Sequence, residues 1–235
     1  MALRTGKLPT KQTPIPTSFK HYTKVFMNSS QAICGLILAG GQARRMGGGD
    51  KCLLPLAGKS LLQRTIERAQ PQVDHLLLNA NGNSLRFARS KLPVVPDQVE
   101  EFKGPLAGIH AGLCWMRDAD PDNEWMMSFA SDTPFFPTDL VERLKTAVQT
   151  HSVRIAVAES HQQMHPTFAL WHASLIDIIE ETLNHEKIPS LQEFVNSQKM
   201  ISVDFASKDY DPFFNINAPQ DLYRAENIAA LIEKA

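Results

Sequence analysis

The sequence predicts an α/β protein of three-layer, Rossmann-like architecture: a mostly parallel sheet with helices on both faces. Three observations carry this. Short apolar runs that suit strands buried on both faces alternate with segments whose apolar residues recur at helical spacing. The first of these runs, 33–38, ends directly in a glycine-rich loop, which is where nucleotide-binding α/β sheets carry theirs. The chain has 235 residues, 43% hydrophobic and 21% charged, enough for a sizeable core and unlike a fibrous or mostly disordered polymer.

Each element follows from its own pattern. The continuous apolar run 33–38 reads as a buried strand. Leu61, Leu62, Thr65, Ile66 and Ala69 recur at helical spacing, with Ser60 placed as N-cap and Pro71 closing the pattern. Residues 75–79 read as a strand, and after Val94-Val95 a loop over 96–104 leads to a helix opening at Pro105 and running to about Met116. Residues 125–130 form another buried run, followed by a turn at 132–134 and a helix from about Thr138 with Leu140, Val141, Leu144 and Val148 on one face. The second half is less regular: strands over 155–158 and 167–171 flank a loop at 160–165. Helices follow near 175–184 and 190–196, and a last one carries Leu222, Ala225, Ala229 and Ile232.

The formal net charge of −1, from 24 basic and 25 acidic residues, argues against a chain built for non-specific binding of nucleic acid or an anionic membrane. That balance is uneven. Residues 1–30 hold 5 basic residues, three prolines and no acid, and are expected to form a disordered basic arm, with Met27 as an alternative start. The arm lacks the apolar stretch of a signal peptide and the arginine-rich amphipathic character of a transit peptide. Residues 31–235 are expected to be one domain, with 19 basic against 25 acidic residues and a net charge of −6, so an anionic ligand has to be held by a focused site. Cys34, Cys52 and Cys114 form neither a disulfide framework nor a zinc pattern, which suits the cytoplasm, and no apolar run approaches the roughly 18 residues that span a bilayer.

The loop after the first strand runs Leu38-Ala39-Gly40-Gly41-Gln42-Ala43-Arg44-Arg45-Met46-Gly47-Gly48-Gly49-Asp50-Lys51, five glycines and three cations in fourteen residues. Bare backbone N–H groups can approach phosphate oxygens closely there, with arginine supplying a planar fork and lysine a compact charge. It is a triphosphate cradle by composition, yet no Walker loop. Gly58-Lys59-Ser60 supplies only the end of that motif, and no G-x-G-x-x-G occurs.

The motif L-A-G-G-x-x-x-R-M-G-x-x-D-K resembles the signature of the nucleotidyltransferases, and its spacing to Asp50-Lys51 resembles the molybdenum cofactor guanylyltransferase (MobA) family in particular. Asn79-Ala80-Asn81, Asp97, Gly104-Pro105-Leu106-Ala107-Gly108, Asp132-Thr133-Pro134, His165-Pro166-Thr167 and Phe214-Asn215-Ile216-Asn217 follow in the family's order, so the likeness covers residues 32–230. It implies a nucleotide-diphospho-sugar transferase-like fold. It also implies that Leu38, Ala39, Gly40 and Gly41 contact the guanine nucleotide, that Arg45 and Lys51 contact phosphates, and that Asn79 and Asp97 hold the nucleoside with Gly104, Pro105 and Leu106 beside them. Asp132 is the candidate ligand for Mg²⁺, a cation that takes one or two carboxylates plus phosphate oxygens. His165, Pro166, Asn215 and Asn217 fall around the pterin. His161 and His165 at i,i+4 lack a carboxylate at motif spacing and are not a metal pair.

The implied reaction is attack by the terminal phosphate of Mo-molybdopterin on the α-phosphorus of GTP, with release of pyrophosphate. Arg45, Lys51 and Asp132 are the catalytic candidates. The implied partners are GTP, Mo-molybdopterin and, transiently, molybdopterin-handling proteins and molybdoenzymes, with the chain a monomer. Three alternatives stay open from sequence: a CTP-dependent enzyme on the same cofactor, a sugar- or alcohol-phosphate nucleotidyltransferase, and a non-catalytic cofactor-binding chaperone.

Overall fold

A computed structural model describes residues 32–40, 50–98 and 104–233 of the chain. The basic arm with its alternative start, and Gly41, Arg44 and Arg45 of the glycine-rich loop, lie outside the described residues. The apolar run 33–38 is strand β1 (Ile33–Leu38), and a small hairpin, β2 (Pro55–Leu56) and β3 (Lys59–Ser60), leads into helix α1 (Leu61–Ala69). Then come β4 (His75–Asn79), β5 (Val94–Val95), α2 (Pro105–Ala119), β6 (Trp125–Ala130) and α3 (Leu140–His151). The second half holds β7 (Ile155–Ser160), β8 (Gln163–His172), α4 (Ile176–Leu183), α5 (Leu191–Asn196), β9 (Met200–Asp204) and α6 (Pro219–Ile232).

The seven-stranded sheet has the order β5-β4-β1-β6-β8-β7-β9. All its strands run in one direction except β8, which pairs antiparallel with both β6 and β7. Alternation along β1 divides the core into two faces. Ile33 and Ile37 pack with Leu62 and Ala69 of α1 and with Leu140, Val141 and Leu144 of α3. Cys34 and Leu36 face the other way, onto α2, α4 and α5 through Leu113, Ile179 and Phe194. Helices therefore cover both faces, as expected. Helix α6 closes a third cluster, in which Ala225 and Ala229 meet Leu56, Phe135 and Ile216.

Close approach of α2 to the sheet depends on small residues. A Cβ on Gly112 would lie 2.7 Å from Leu36 Cδ2 and 2.8 Å from Met126 Sδ. Nearly every residue from Leu106 to Leu113 is buried, so this helix is read from its flanking Gly104-Pro105 start rather than from an apolar stripe. All three cysteines are buried free thiols, pushed up to about 12 at Cys34 and Cys52 and to about 11 at Cys114 mainly by loss of solvent, which suits inert packing. Among the described residues no helix is long and apolar enough to cross a membrane.

The bounds of β1, β4 and β6 fall where the apolar runs predict, and Ser60 caps α1 by accepting from Gln63 N. Gly58-Lys59-Ser60 is indeed no phosphate loop: Ala57 (φ 46°) and Gly58 (φ 80°) turn the β2–β3 hairpin, and Lys59 pairs with Glu67 at 2.6 Å. The expected loop over 160–165 is instead a two-residue turn, His161 (φ 49°) and Gln162 (φ 64°), between two longer strands. His165 and Pro166 thus lie inside β8 rather than ahead of a strand. Neither turn residue is glycine, and Gln163 and His165 on either side of Met164 hide the strand's start. Pro166 is accommodated because the register slips there, Val157 pairing with Ala169 but Ala158 with His165, so no ladder hydrogen bond is asked of it. The expected helix over 175–184 is a 3-10 turn at Ala173–Leu175 followed by α4. Strand β9, unforeseen, adds a parallel edge to β7.

Candidate active site

Because β1, β4, β5 and β6 are parallel, their carboxyl ends share one edge, and β1 is where strand order reverses, with β4 on one side and β6 on the other. Leu38 pairs with Asn79 and with Ala130, so Ala39, Gly40, Asn79 and Asp132 emerge side by side. Backbone bonds hold them: Ala39 N donates to Asn79 O at 2.9 Å and Ser131 N to Leu38 O at 3.2 Å.

Lys51 opens a 3-10 turn just after the glycine-rich loop and is buried, 9% exposed. Its Nζ donates to Asp132 Oδ2 at 2.6 Å, to Asn217 Oδ1 at 2.5 Å and to Asn215 Oδ1 at 3.3 Å, so all three ammonium protons have an oxygen. Asp132 Oδ1 accepts from Thr133 Oγ1 at 3.2 Å. The asparagines arrive because Ile216 between them is fully buried and its N–H donates to Asp132 O at 3.0 Å, leaving the side chains on either side directed at Lys51. Asn217 N and Ala218 N both donate to Asp221 Oδ2 at 2.8 Å, which fixes this segment to the start of α6. At the near end, Asp50 pairs with Arg86 Nε at 2.6 Å.

A second group forms at the ends of β4 and β5. Asn79, 5% exposed, donates through Nδ2 to Val95 O at 3.1 Å and to Asp97 Oδ1 at 2.9 Å. Asn81 Nδ2 donates to Asp97 Oδ2 at 2.7 Å while Asp97 N donates to Asn81 Oδ1 at 2.8 Å. The carboxylate is held by two amides with lone pairs to spare. Gly104 takes φ 72°, which favours glycine, and a Cβ there would meet no atom within 4 Å. Pro105 is exposed and Leu106 buried at the first turn of α2.

Gly108 on α2 is the contact that fixes Asn79: a Cβ there would lie 2.2 Å from Asn79 Oδ1 and 3.0 Å from Leu38 Cδ2. Gly108→Ala should therefore turn Asn79 out of place and break its bonds to Val95 and Asp97. Thermal unfolding should register a loss of about 1–3 kcal/mol.

The four residues grouped by sequence around the pterin separate into two places. Asn215 and Asn217 join Lys51 and Asp132. His165 instead bonds Ser160 Oγ at 2.8 Å and stacks on Phe213, ring centroids 4.4 Å apart and planes at 23°. Burial pushes the His165 pKa down, opposed by Asp211 and Glu159. Pro166 makes the bulge beside it. Asn81, Arg86, Ser160 and Asp211 are site-lining residues that sequence reasoning did not single out; only the i,i+2 spacing of Asn79 and Asn81 carried a signal for the first of them. Among the described residues no three His, Cys, Asp or Glu side chains converge on one point.

A doubly covered, mostly parallel sheet with a lysine–aspartate pair at its switch point, the lysine following a glycine-rich loop in sequence, suits a nucleotidyltransferase. The MobA-like NTP transferase domain model matches residues 35–200. The molybdenum cofactor guanylyltransferase of Rhodopseudomonas palustris (strain BisB5) is 46% identical over 203 residues, 86% of this chain and 97% of that protein. The one from Mesorhizobium japonicum is 46% identical over 199 residues, 83% and 95%. The structure of molybdopterin-guanine dinucleotide biosynthesis protein A from Archaeoglobus fulgidus superposes with a TM-score of 0.69 at 24% identity, covering 84% of this chain and 99% of that one, and shares the fold. The chain belongs to the MobA-like NTP transferase family, among its molybdenum cofactor guanylyltransferases.

Proposed function

We propose that the protein transfers GMP from GTP to the terminal phosphate of Mo-molybdopterin, releasing pyrophosphate and leaving the guanine dinucleotide cofactor. The observation that carries this is the buried Lys51 ammonium, held by Asp132, Asn215 and Asn217 at the switch point of the sheet. A phosphate is a competent nucleophile at neutral pH, so no general base is required and catalysis rests on alignment and charge. Lys51, on its flexible stem, meets the charge that develops toward pyrophosphate, with Arg45 from the adjoining loop as its companion. Asp97, whose carboxylate is presented by Asn79 and Asn81, accepts from the paired N–H donors on the edge of guanine; cytosine has no such pair. Leu38, Ala39, Gly40 and Gly41 supply the backbone along the nucleotide.

The donor set also fits a small divalent cation such as Mg²⁺. The Asp132 carboxylate gives one oxygen to Lys51 and keeps the other, Oδ1, with Thr133 as its partner, a hard ligand with lone pairs to spare. Asp132 would hold it, and when bound it would offset charge on the phosphates. Residues 31–235 act as one catalytic domain behind the arm, and the protein works as a monomer. The three reduced thiols agree with a cytoplasmic setting, where molybdopterin-handling proteins and molybdoenzymes would meet it.

The test is pyrophosphate release by purified protein given molybdate-loaded molybdopterin and either GTP or CTP. GTP should be consumed at least tenfold faster, and preference for CTP would overturn the assignment of the base.

A further inference from the structure

Ser160 is buried, 1% exposed, and its hydroxyl sits between two partners: Asp211 Oδ1 at 3.0 Å and His165 Nε2 at 2.8 Å. The β7–β8 register places the two strand residues together. Ala158 faces His165 and Ser160 faces Gln163, so all four share one face, and Ser160 and His165 are diagonal neighbours. Asp211 comes from the segment that also carries Asn215 and Asn217, and its Oδ1 accepts from Phe213 N at 3.0 Å as well.

The proton count in this relay has one solution. An ionised carboxylate can only accept, so the single Ser160 proton points to Asp211. Ser160 Oγ is then the acceptor toward the ring, and His165 must carry its proton on Nε2. In the neutral ring Nδ1 is left bare, and among the described residues it has no hydrogen-bond partner. The ring cannot easily turn, because it lies on Phe213, which packs in turn against Phe168 and through it Phe136, with centroids 5.0 and 5.4 Å apart. A half-buried imidazole fixed at one nitrogen by a buried relay, clamped on one face and unpaired at the other nitrogen, is a prepared acceptor. It stands at the carboxyl end of β7, on the same edge of the sheet as Asp132.

We propose that Ser160 and Asp211 are positioning residues that hold His165 as the Nε2–H tautomer, so that Nδ1 accepts a hydrogen bond from an N–H donor on the pterin ring of the second substrate. This rests on the reading of the chain as a molybdopterin-accepting guanylyltransferase. Loss of the relay should weaken the pterin-bearing substrate and leave the nucleotide alone. A protonated ring should do the same, since Nδ1–H donates where an acceptor is needed. Asp211 and Glu159 favour that proton, while burial and His161 oppose it.

Steady-state kinetics of Ser160→Ala, His165→Ala and the double variant, with each substrate varied in turn, provide the test. Each single variant should raise KM for molybdopterin about tenfold, with KM for GTP within twofold of wild type. The double variant should be no worse than His165→Ala, because the two residues act as one unit. In wild type KM for molybdopterin should rise as pH falls, and Asp211→Asn should move that rise to lower pH by removing the charge that favours protonation. ¹⁵N NMR of the free enzyme should show a slowly exchanging His165 Nε2–H that Ser160→Ala loses. Wild-type turnover with an unchanged molybdopterin KM in both single variants, or additive losses in the double, overturns the inference. An inactive wild type overturns the functional reading instead, and the NMR signature then decides the relay separately: its absence from wild type also overturns the inference.

Discussion

Asp132→Asn is expected to lower guanylyl transfer about 10³-fold while the protein stays folded. The substitution keeps the shape of the side chain and an oxygen for Lys51 to donate to, so the contact seen at 2.6 Å loses its charge but not its hydrogen bond. Thr133 Oγ1 can rotate to accept from the new amide, having donated to Oδ1 before. Stability should therefore change by only about 1 kcal/mol. What disappears is the negative charge that faces the Lys51 ammonium, the charge that the proposed reaction uses to assemble cation and phosphates. Pyrophosphate release and circular dichroism melting, measured together, separate the two effects. Turnover near the wild-type rate would remove Asp132 from the chemistry.

Lys51→Met should cost about 10²–10³-fold in kcat/KM, and here stability should fall as well. The apolar stem is retained, yet three oxygen acceptors, the Asp132 carboxylate and the amides of Asn215 and Asn217, lose the one ammonium that gathers them. With Asp132 still 23% exposed through its side chain, water relieves part of this, and a loss of about 1–3 kcal/mol is expected rather than that of a fully buried pair. Lys51→Arg should not restore activity. A planar guanidinium cannot offer three diverging protons to oxygens arranged round a point, and its extra bulk has no room at a position 9% exposed. Pyrophosphate assays and urea unfolding of both variants check this. Full rescue by arginine would show that charge alone suffices.

Strands such as β1, β4 and β6 were legible because a strand covered on both faces reads as a near-continuous apolar run, a signal that needs no knowledge of neighbours. The cap of α1 was legible for the same local reason, Ser60 preceding an apolar period, whereas the capping box of Ser190 and Glu193 on α5 was not read. The β7–β8 turn was not, since two left-handed residues that are not glycine leave no mark on composition. In the site, each of Lys51, Asp132, Asn79 and Asp97 stood out one at a time from motif order. Their partnerships did not: Lys51 meets Asn217 across 166 positions and Ser160 meets Asp211 across 51, and such contacts exist only once the sheet is assembled. That is also why Asn215 and Asn217 were grouped with His165, a neighbour in motif order, when their hydrogen bonds run to Lys51.

The single reversed strand has a further meaning. With β8 running against its neighbours, the edge that receives the tails of β1, β4, β5 and β6 also receives the beginning of β8, and the nucleotide half and the His165 half are built from different kinds of strand end. The two halves are coupled through the segment 211–217, which touches Ser160 at one end and Lys51 at the other. A change in the β7–β8 hairpin can therefore reshape the His165 half alone, whereas a change in 211–217 reaches Lys51 as well. The direction of one strand thus sets which part of the shared edge can vary on its own.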